Sequence, residues 1–304
     1  MPDHHPLIQQ WPRESFCCAA GFRPDTLLPI MIDPAFERGM PGDPPEISER
    51  DRMLIPGRPA IDDEYFDWIA LLSALTDARD QFVCVEAGAG YGRWLVRAAA
   101  GSRARGLRFH AVAVESDPGH LAFLHRHFRV NGLNPDDHEC YWGAVTPIGQ
   151  CIPMELGRPD AWYGQAWIPY LKLPPLTVAE RRRLKARAYL GDAPSLPAGH
   201  HWVPGLSLTE ILSHHERVDF LHMDIQDAEG VVVRAAVRTL TDRVRWICVG
   251  THSEKSELRV TRALSSAGWE SIYAFTMGRR AQTAYGPITF GDGVQVWRNR
   301  TLPN

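Results

Sequence analysis

The chain has 304 residues, of which 33 are lysine or arginine and 36 aspartate or glutamate, for a formal charge of −3. This balance excludes a global positive field that would draw the protein onto nucleic acid or anionic lipid, and the length allows roughly 75% of the unfolded surface to be buried without disulfide or metal staples. The six cysteines include no C-x-x-C pair, and neither a basic-apolar leader nor a run of 18 apolar residues occurs, so the expected setting is the reducing cytoplasm.

Residues 1 to about 60 carry eleven prolines, which break any long period and predict an extended, surface-hugging N-terminal arm. From Ile61 the texture changes. Ile61, Tyr65, Trp68, Ile69, Leu72 and Leu75 recur at three- and four-residue spacing behind a cluster of carboxylates, as an amphipathic helix requires. A strand at Phe82–Val85 runs into a glycine loop, a helix follows from Arg93, and a second strand covers Phe109–Val114. Asp117-Pro118 opens a further helix, with proline at its first position, and a third strand is expected around Glu139–Val145. The segment 147–205 then loses periodicity and gathers Trp162, Tyr163, Trp167, Tyr170 and Trp202 among prolines, with a basic run at Arg181–Arg187, and reads as an insertion over the sheet. Ser207-Leu208-Thr209-Glu210 is a capping-box pattern. After it come a strand at Val218–Met223, a helix at Glu229–Leu240, a strand at Trp246–Val249, a helix near Leu258–Ala267, and an antiparallel pair formed by Ser271–Thr276 and Val294–Trp297. Alternating strands and helices imply a Rossmann-like α/β domain over 61–304 with a mostly parallel, buried sheet.

The strongest local signal is Glu86-Ala87-Gly88-Ala89-Gly90-Tyr91-Gly92, between a strand and a helix, with Glu115 at the end of the next strand. Glycines let the backbone turn sharply and approach a ligand, while the helix start presents unpaired N–H groups. A dinucleotide fingerprint needs G-x-G-x-x-G, and Arg93 occupies the position of its last glycine, so NAD is disfavoured. The loop instead fits S-adenosylmethionine: Gly88, Gly90 and Gly92 shape the slot, Glu86 faces the cofactor's ammonium, and Glu115 accepts from its ribose hydroxyls.

These residues resemble the FkbM-type class I methyltransferases. The resemblance is carried by Val114-Glu115-Ser116-Asp117-Pro118 with Asn131-Gly132-Leu133, by Leu206–Leu212 with Val218–Glu229, and by Ile247–His252. Where the family shows Lys-x-Asp-x-Glu-Gly-x-Glu, Asp224 and Glu229 match while His222, Gln226 and Asp227 depart. In place of its Glu-x-His stands Gly250-Thr251-His252. The resemblance implies a seven-stranded class I methyltransferase sheet with helices on both faces, and O-methylation of a hydroxyl on a sugar or other secondary metabolite.

Asp224 and His252 end predicted strands at the carboxyl edge, where open α/β sheets bind ligands. With an ordinary pKa near 6.5, His252 suits a general base, and Asp224 can orient it. A cation held by Asp224 with Asp227 or Glu229 is the lesser alternative, and no metal is assigned. His222 reads as a core residue. The pairs His4-His5, His200-His201 and His214-His215 read as surface, because adjacent side chains diverge. The aromatic insertion reads equally as a lid or as a packing flap or subunit contact of a homo-oligomer. Expected partners are thus a small-molecule or sugar acceptor, without nucleic acid or membrane. Two other readings stand beside this one: N- or C-methylation with the same cofactor, and a non-catalytic glycan-binding or scaffold protein on the same fold.

Overall fold

The computed structural model describes residues 3–37, 47–155, 183 and 200–302. The apolar runs of the sequence converge on one seven-stranded sheet. Its strands are β1 (Gln81–Ala87), β2 (Arg108–Glu115), β3 (Glu139–Trp142), β4 (Val218–Met223), β5 (Val244–Thr251), β6 (Glu270–Phe275) and β7 (Gly293–Arg298). Across the sheet they run β3-β2-β1-β4-β5-β7-β6, and β7 alone is antiparallel to its neighbours. The chain moves outward from β1 through β3 and returns to place β4 on the other side of β1. That reversal opens a crevice beyond the carboxyl ends of β1 and β4.

Both faces of the sheet are covered, so its central strands are buried along nearly their whole length. Phe82 and Cys84 face one half of the core, with helices α1 (Tyr65–Asp77), α2 (Arg93–Ala104) and α3 (Pro118–Val130). Val83, Val85 and Ala87 point the other way, toward α4 (Glu229–Arg243), α5 (Glu254–Ser266) and the short helix Leu208–Leu212. Among the described residues no helix is long and apolar enough to cross a membrane.

Three elements differ from the sequence expectation. Helix α5 starts at Glu254, not near Leu258, because Ser253 Oγ accepts from Ser256 N at 3.0 Å and caps a first turn that contains no apolar stripe. Residues between β6 and β7 form their own hairpin, Arg279–Thr283 with Gly286–Phe290, whose Ile288 and Phe290 enter the core. The N-terminal segment is extended but does not lie on the surface. Ile8, Leu27, Leu28, Ile30, Ile32 and Phe36 belong to the main core cluster, and Asp25 reaches Arg97 of α2 with two hydrogen bonds of 2.8 and 3.0 Å.

Of the 147–205 segment, Ile152–Glu155 and His200–Val203 pair antiparallel, which brings its two ends together. Trp162, Tyr163, Trp167, Tyr170 and the basic run apart from the exposed Arg183 lie outside the described residues.

Candidate active site

Backbone geometry makes the glycine loop. Gly88, Gly90 and Gly92 have φ of 76°, 53° and 73°, a region that side chains strongly disfavour. Gly88 N and Ala89 N both donate to Val114 O at 3.0 Å, and Asp224 N donates to Ala87 O at 3.0 Å, so the loop is wedged between the ends of β2 and β4. A Cβ on Gly88 would sit 1.8 Å from the Asp224 carbonyl oxygen. One on Gly92 would meet Leu124 and Phe128 at 3.0 to 3.3 Å. These two glycines therefore make room for protein, and Gly92 borders neither cavity described below. The expectation that all three shape the ligand slot is corrected at Gly92: its missing side chain seats α3. Gly90, like Gly88, borders the cavities on both sides, and its N–H donates to Glu115 Oε2 at 2.7 Å.

Two cavities meet at this loop and share Gly88, Gly90, Asp224 and Gln226. The inner recess, about 160 Å³, lies between β2 and the start of the insertion. Its apolar walls are Val114, Ala144, Val145, Ile152 and Met154, and its polar end is Glu115, Ser116 and His120. The outer cavity, about 520 Å³, reaches from Glu86 and His222 on its floor to Asp62, Asp63 and Asp292. Both far exceed the roughly 10–15 Å³ that one water needs.

Glu115 is only 4% exposed. Its oxygens accept from Gly90 N at 2.7 Å and from Asp117 N at 2.8 Å. Burial raises its pKa, and those N–H donors and His120 pull the other way. Oε1 also accepts from Ser116 Oγ at 3.3 Å, and Oε2 keeps a second lone pair for a hydroxyl donor. Glu86 is fixed similarly: Trp94 N and Leu95 N donate to it at 3.3 and 3.2 Å, so it caps the first turn of α2. Burial pushes its pKa up to about 7, against the opposing pull of His222 and the two N–H groups.

His222 is a core residue, as read from the sequence, but it also borders the outer cavity. Its Nε2 lies 3.2 Å from Asp67 Oδ1, an oxygen that also accepts from Cys248 Sγ, and its ring stacks on Trp94. Nδ1 is buried without a partner.

The structure brings Asp224 and His252 together and adds Glu229 and Gln226. His252 Nδ1 is 3.0 Å from Glu229 Oε1, and Nε2 is 3.3 Å from Asp224 Oδ1. Gln226 reaches both Asp224 Oδ1 and His252 Nε2, at 3.1 and 3.0 Å, from a backbone held at φ 52°. Burial alone would lower the imidazole pKa. Hydrogen bonds to Asp224 and Glu229 outweigh it and raise the value to about 10. With the ring protonated, its Nε2–H faces Asp224 Oδ1, the same oxygen to which Gln226 Nε2 donates. The expectation of a free base near pH 6.5 is thus corrected: two carboxylates hold His252 as an imidazolium at neutral pH. His252 also stands behind Asp224, which borders both cavities while His252 borders neither. Asp224, whose side chain is 41% exposed toward the cavities, has its carboxyl pKa lowered by His252 against the upward push of desolvation.

Sequence reading missed the acids at the outer rim. Asp62 and Asp63 precede α1, and Asp292 lies in the turn before β7. Partial desolvation at the rim, with Glu64 and Asp63 nearby, raises the exposed Asp62 to about pKa 6. Adjacent Glu64 pairs with Arg93 and Arg97, whereas no basic side chain among the described residues pairs with Asp62 or Asp63. The available signal was the run Asp62-Asp63-Glu64, which a helix start explains equally well.

The strand order and the loop at the reversal point decide the architecture. The fold is that of a Rossmann-like class I methyltransferase. No family model matches the chain. A protein of Jannaschia sp. (strain CCS1), named provisionally a methyltransferase, is 27% identical over 243 residues, spanning 78% of this chain and 80% of its own. Among solved structures, precorrin 8W decarboxylase of Methanobacterium thermoautotrophicum is similar at 12% identity and TM-score 0.40, over 80% of this chain and 92% of that one. Precorrin-6y C5,15-methyltransferase from Geobacter metallireducens GS-15 is similar at 11% identity and TM-score 0.38, over 76% and 85%. Likenesses that weak carry no argument. The methyltransferase fold rests on the strand order itself.

Proposed function

We propose that the chain is an S-adenosylmethionine-dependent methyltransferase of the FkbM type that methylates a hydroxyl on a sugar or secondary-metabolite acceptor. The observation that carries this reading is the continuous slot across the reversal point, with Glu115 in its inner recess, Glu86 on its outer floor and Asp224 where the two meet. The residues fit such a cofactor. Glu115 keeps acceptor capacity for ribose hydroxyls, the apolar recess suits an adenine ring, and Glu86 with the unpartnered Nδ1 of His222 offers an acceptor and a donor to an amino-acid tail. When bound, the cofactor supplies an electrophilic methyl group. The chain's own task is alignment and proton removal. Asp224 takes the acceptor's proton, Gln226 steadies its carboxylate, and His252, clamped by Glu229, balances its charge. This arrangement works without the family's usual Glu-x-His after β5, since the carboxylates reach His252 from the β4 side.

A specific observation favours a second reading, N-methylation. Asp62, Asp63 and Asp292 give the outer cavity a negative rim that suits an amine or aminosugar.

Calorimetry with S-adenosylmethionine tests the shared premise. Micromolar binding is expected in the native chain and none in Gly90→Arg; no binding at all, with Gly90→Arg indifferent, removes both enzymatic readings. Product analysis on matched hydroxyl and amino acceptors then separates them. An amine acceptor whose KM rises roughly tenfold in Asp62→Asn, with cofactor affinity intact, selects the second.

A further inference from the structure

The far side of the sheet holds a cluster that the methyltransferase reading does not use. His110 lies near the start of β2, Glu139 opens β3, and His215 stands in the turn leading to β4. These are the amino ends of the strands, opposite the glycine loop. His110 Nε2 is 3.1 Å and His215 Nε2 is 3.2 Å from the same oxygen, Glu139 Oε1, and all three atoms lie within 4.8 Å of one another. Four-coordinate zinc with bonds of roughly 2.0–2.2 Å spaces its ligands about 3.3 Å apart, close to both N–O separations.

Hydrogen bonding alone leaves this cluster incomplete. His215 Nε2 is fully buried and has no aligned hydrogen-bond partner, although Glu139 Oε1 is near. A metal on that nitrogen would satisfy it. The carboxylate is also oriented from behind, since Tyr141 Oη donates to its other oxygen, the kind of outer contact that steadies a ligating carboxylate. His138 is occupied elsewhere, accepting from Ala111 N at 3.4 Å, so it stays outside the set. His110 and Glu139 are each 27% exposed, which leaves an entry path and a fourth position for water.

We propose that His110, Glu139 and His215 form a zinc site that ties the edge strand β3 to the turn before β4. Two imidazoles and one carboxylate suit zinc and its late first-row neighbours and disfavour magnesium or calcium, which take mainly oxygen ligands. Zinc takes the Nε2 lone pair of each imidazole in its Nδ1–H tautomer together with one oxygen of the ionised Glu139, so binding to the neutral rings releases no proton. The role is structural: the site holds together three elements distant in sequence and lies away from the slot.

The test uses tag-free protein freed of metal by chelation, titrated with zinc chloride, and in parallel with cobalt chloride for the strong visible absorption of four-coordinate Co²⁺. One equivalent of zinc is expected to bind and raise Tm. His215→Ala and, independently, His110→Ala should each weaken binding by roughly 100-fold or more and lose the cobalt band, while unfolding in chelator as the wild type does. Having two variants covers the case in which one fails to fold. Zinc binding that survives both substitutions, that disappears only in Asp224→Asn, or that is absent from the wild type at 100-fold excess overturns the site. The outcome is independent of whether the chain binds S-adenosylmethionine.

Discussion

Glu86 shows how one residue can be read correctly for its position and incompletely for its state. Its place before the glycine loop is a sequence fact, but its pKa of about 7 comes from complete burial behind α2. The sign of the consequence follows. In the free protein Glu86 is largely protonated below pH 7, yet it must be ionised to hold an ammonium, so binding releases a proton there. Affinity for S-adenosylhomocysteine is expected to rise roughly tenfold from pH 6 to pH 8 and to become weaker and flat in Glu86→Gln. A flat wild-type profile by calorimetry would place the ammonium elsewhere. His252 teaches the converse. Its residue type suggested a titration near neutrality, and two carboxylates from another turn moved it to about 10.

At the scale of elements, helix α2 links the arm to the slot. Its first turn is capped by Glu86, and three residues farther on Arg97, 1% exposed, lies between the rings of Trp68 and Trp94, 4.3 and 4.5 Å from their centroids. Asp25 of the arm completes this pair. Burial would raise the Asp25 pKa, but Arg97 holds it well below the usual carboxylate range. Because the folded-state pKa is depressed, the ion pair's contribution is complete well above the ordinary value of 3.8 and is lost as pH falls below it. Asp25→Ala removes both hydrogen bonds of the buried guanidinium and leaves it only the 3.8 Å contact with Glu64, so denaturant unfolding at pH 7 should show a loss of about 3 kcal/mol. An unchanged midpoint would mean that solvent reaches Arg97. The late start predicted for α5 has a similarly local cause: apolar periodicity locates a helix body, whereas its first turn was set by the Ser253 cap.

For the whole molecule, the N-terminal segment is part of the core and not a cover. Removing residues 1–37 strips Leu27, Leu28, Ile30, Ile32 and Phe36 from the main cluster. The shortened chain is expected to lose its cooperative thermal transition by circular dichroism, and a native-like transition would show that the sheet stands without the arm. The sequence by itself determined the alternation of strands and helices, the glycine loop and its spaced acids, since periodicity, capping and backbone freedom are local properties written in neighbouring residues. Only the tertiary structure decided that Gly92 serves α3, that His252 is clamped between Asp224 and Glu229, that Asp62 and Asp292 share one rim, and that His110, Glu139 and His215 converge. Each of those depends on which distant segments pack together, and the charge state of a buried group depends on every neighbour that packing supplies.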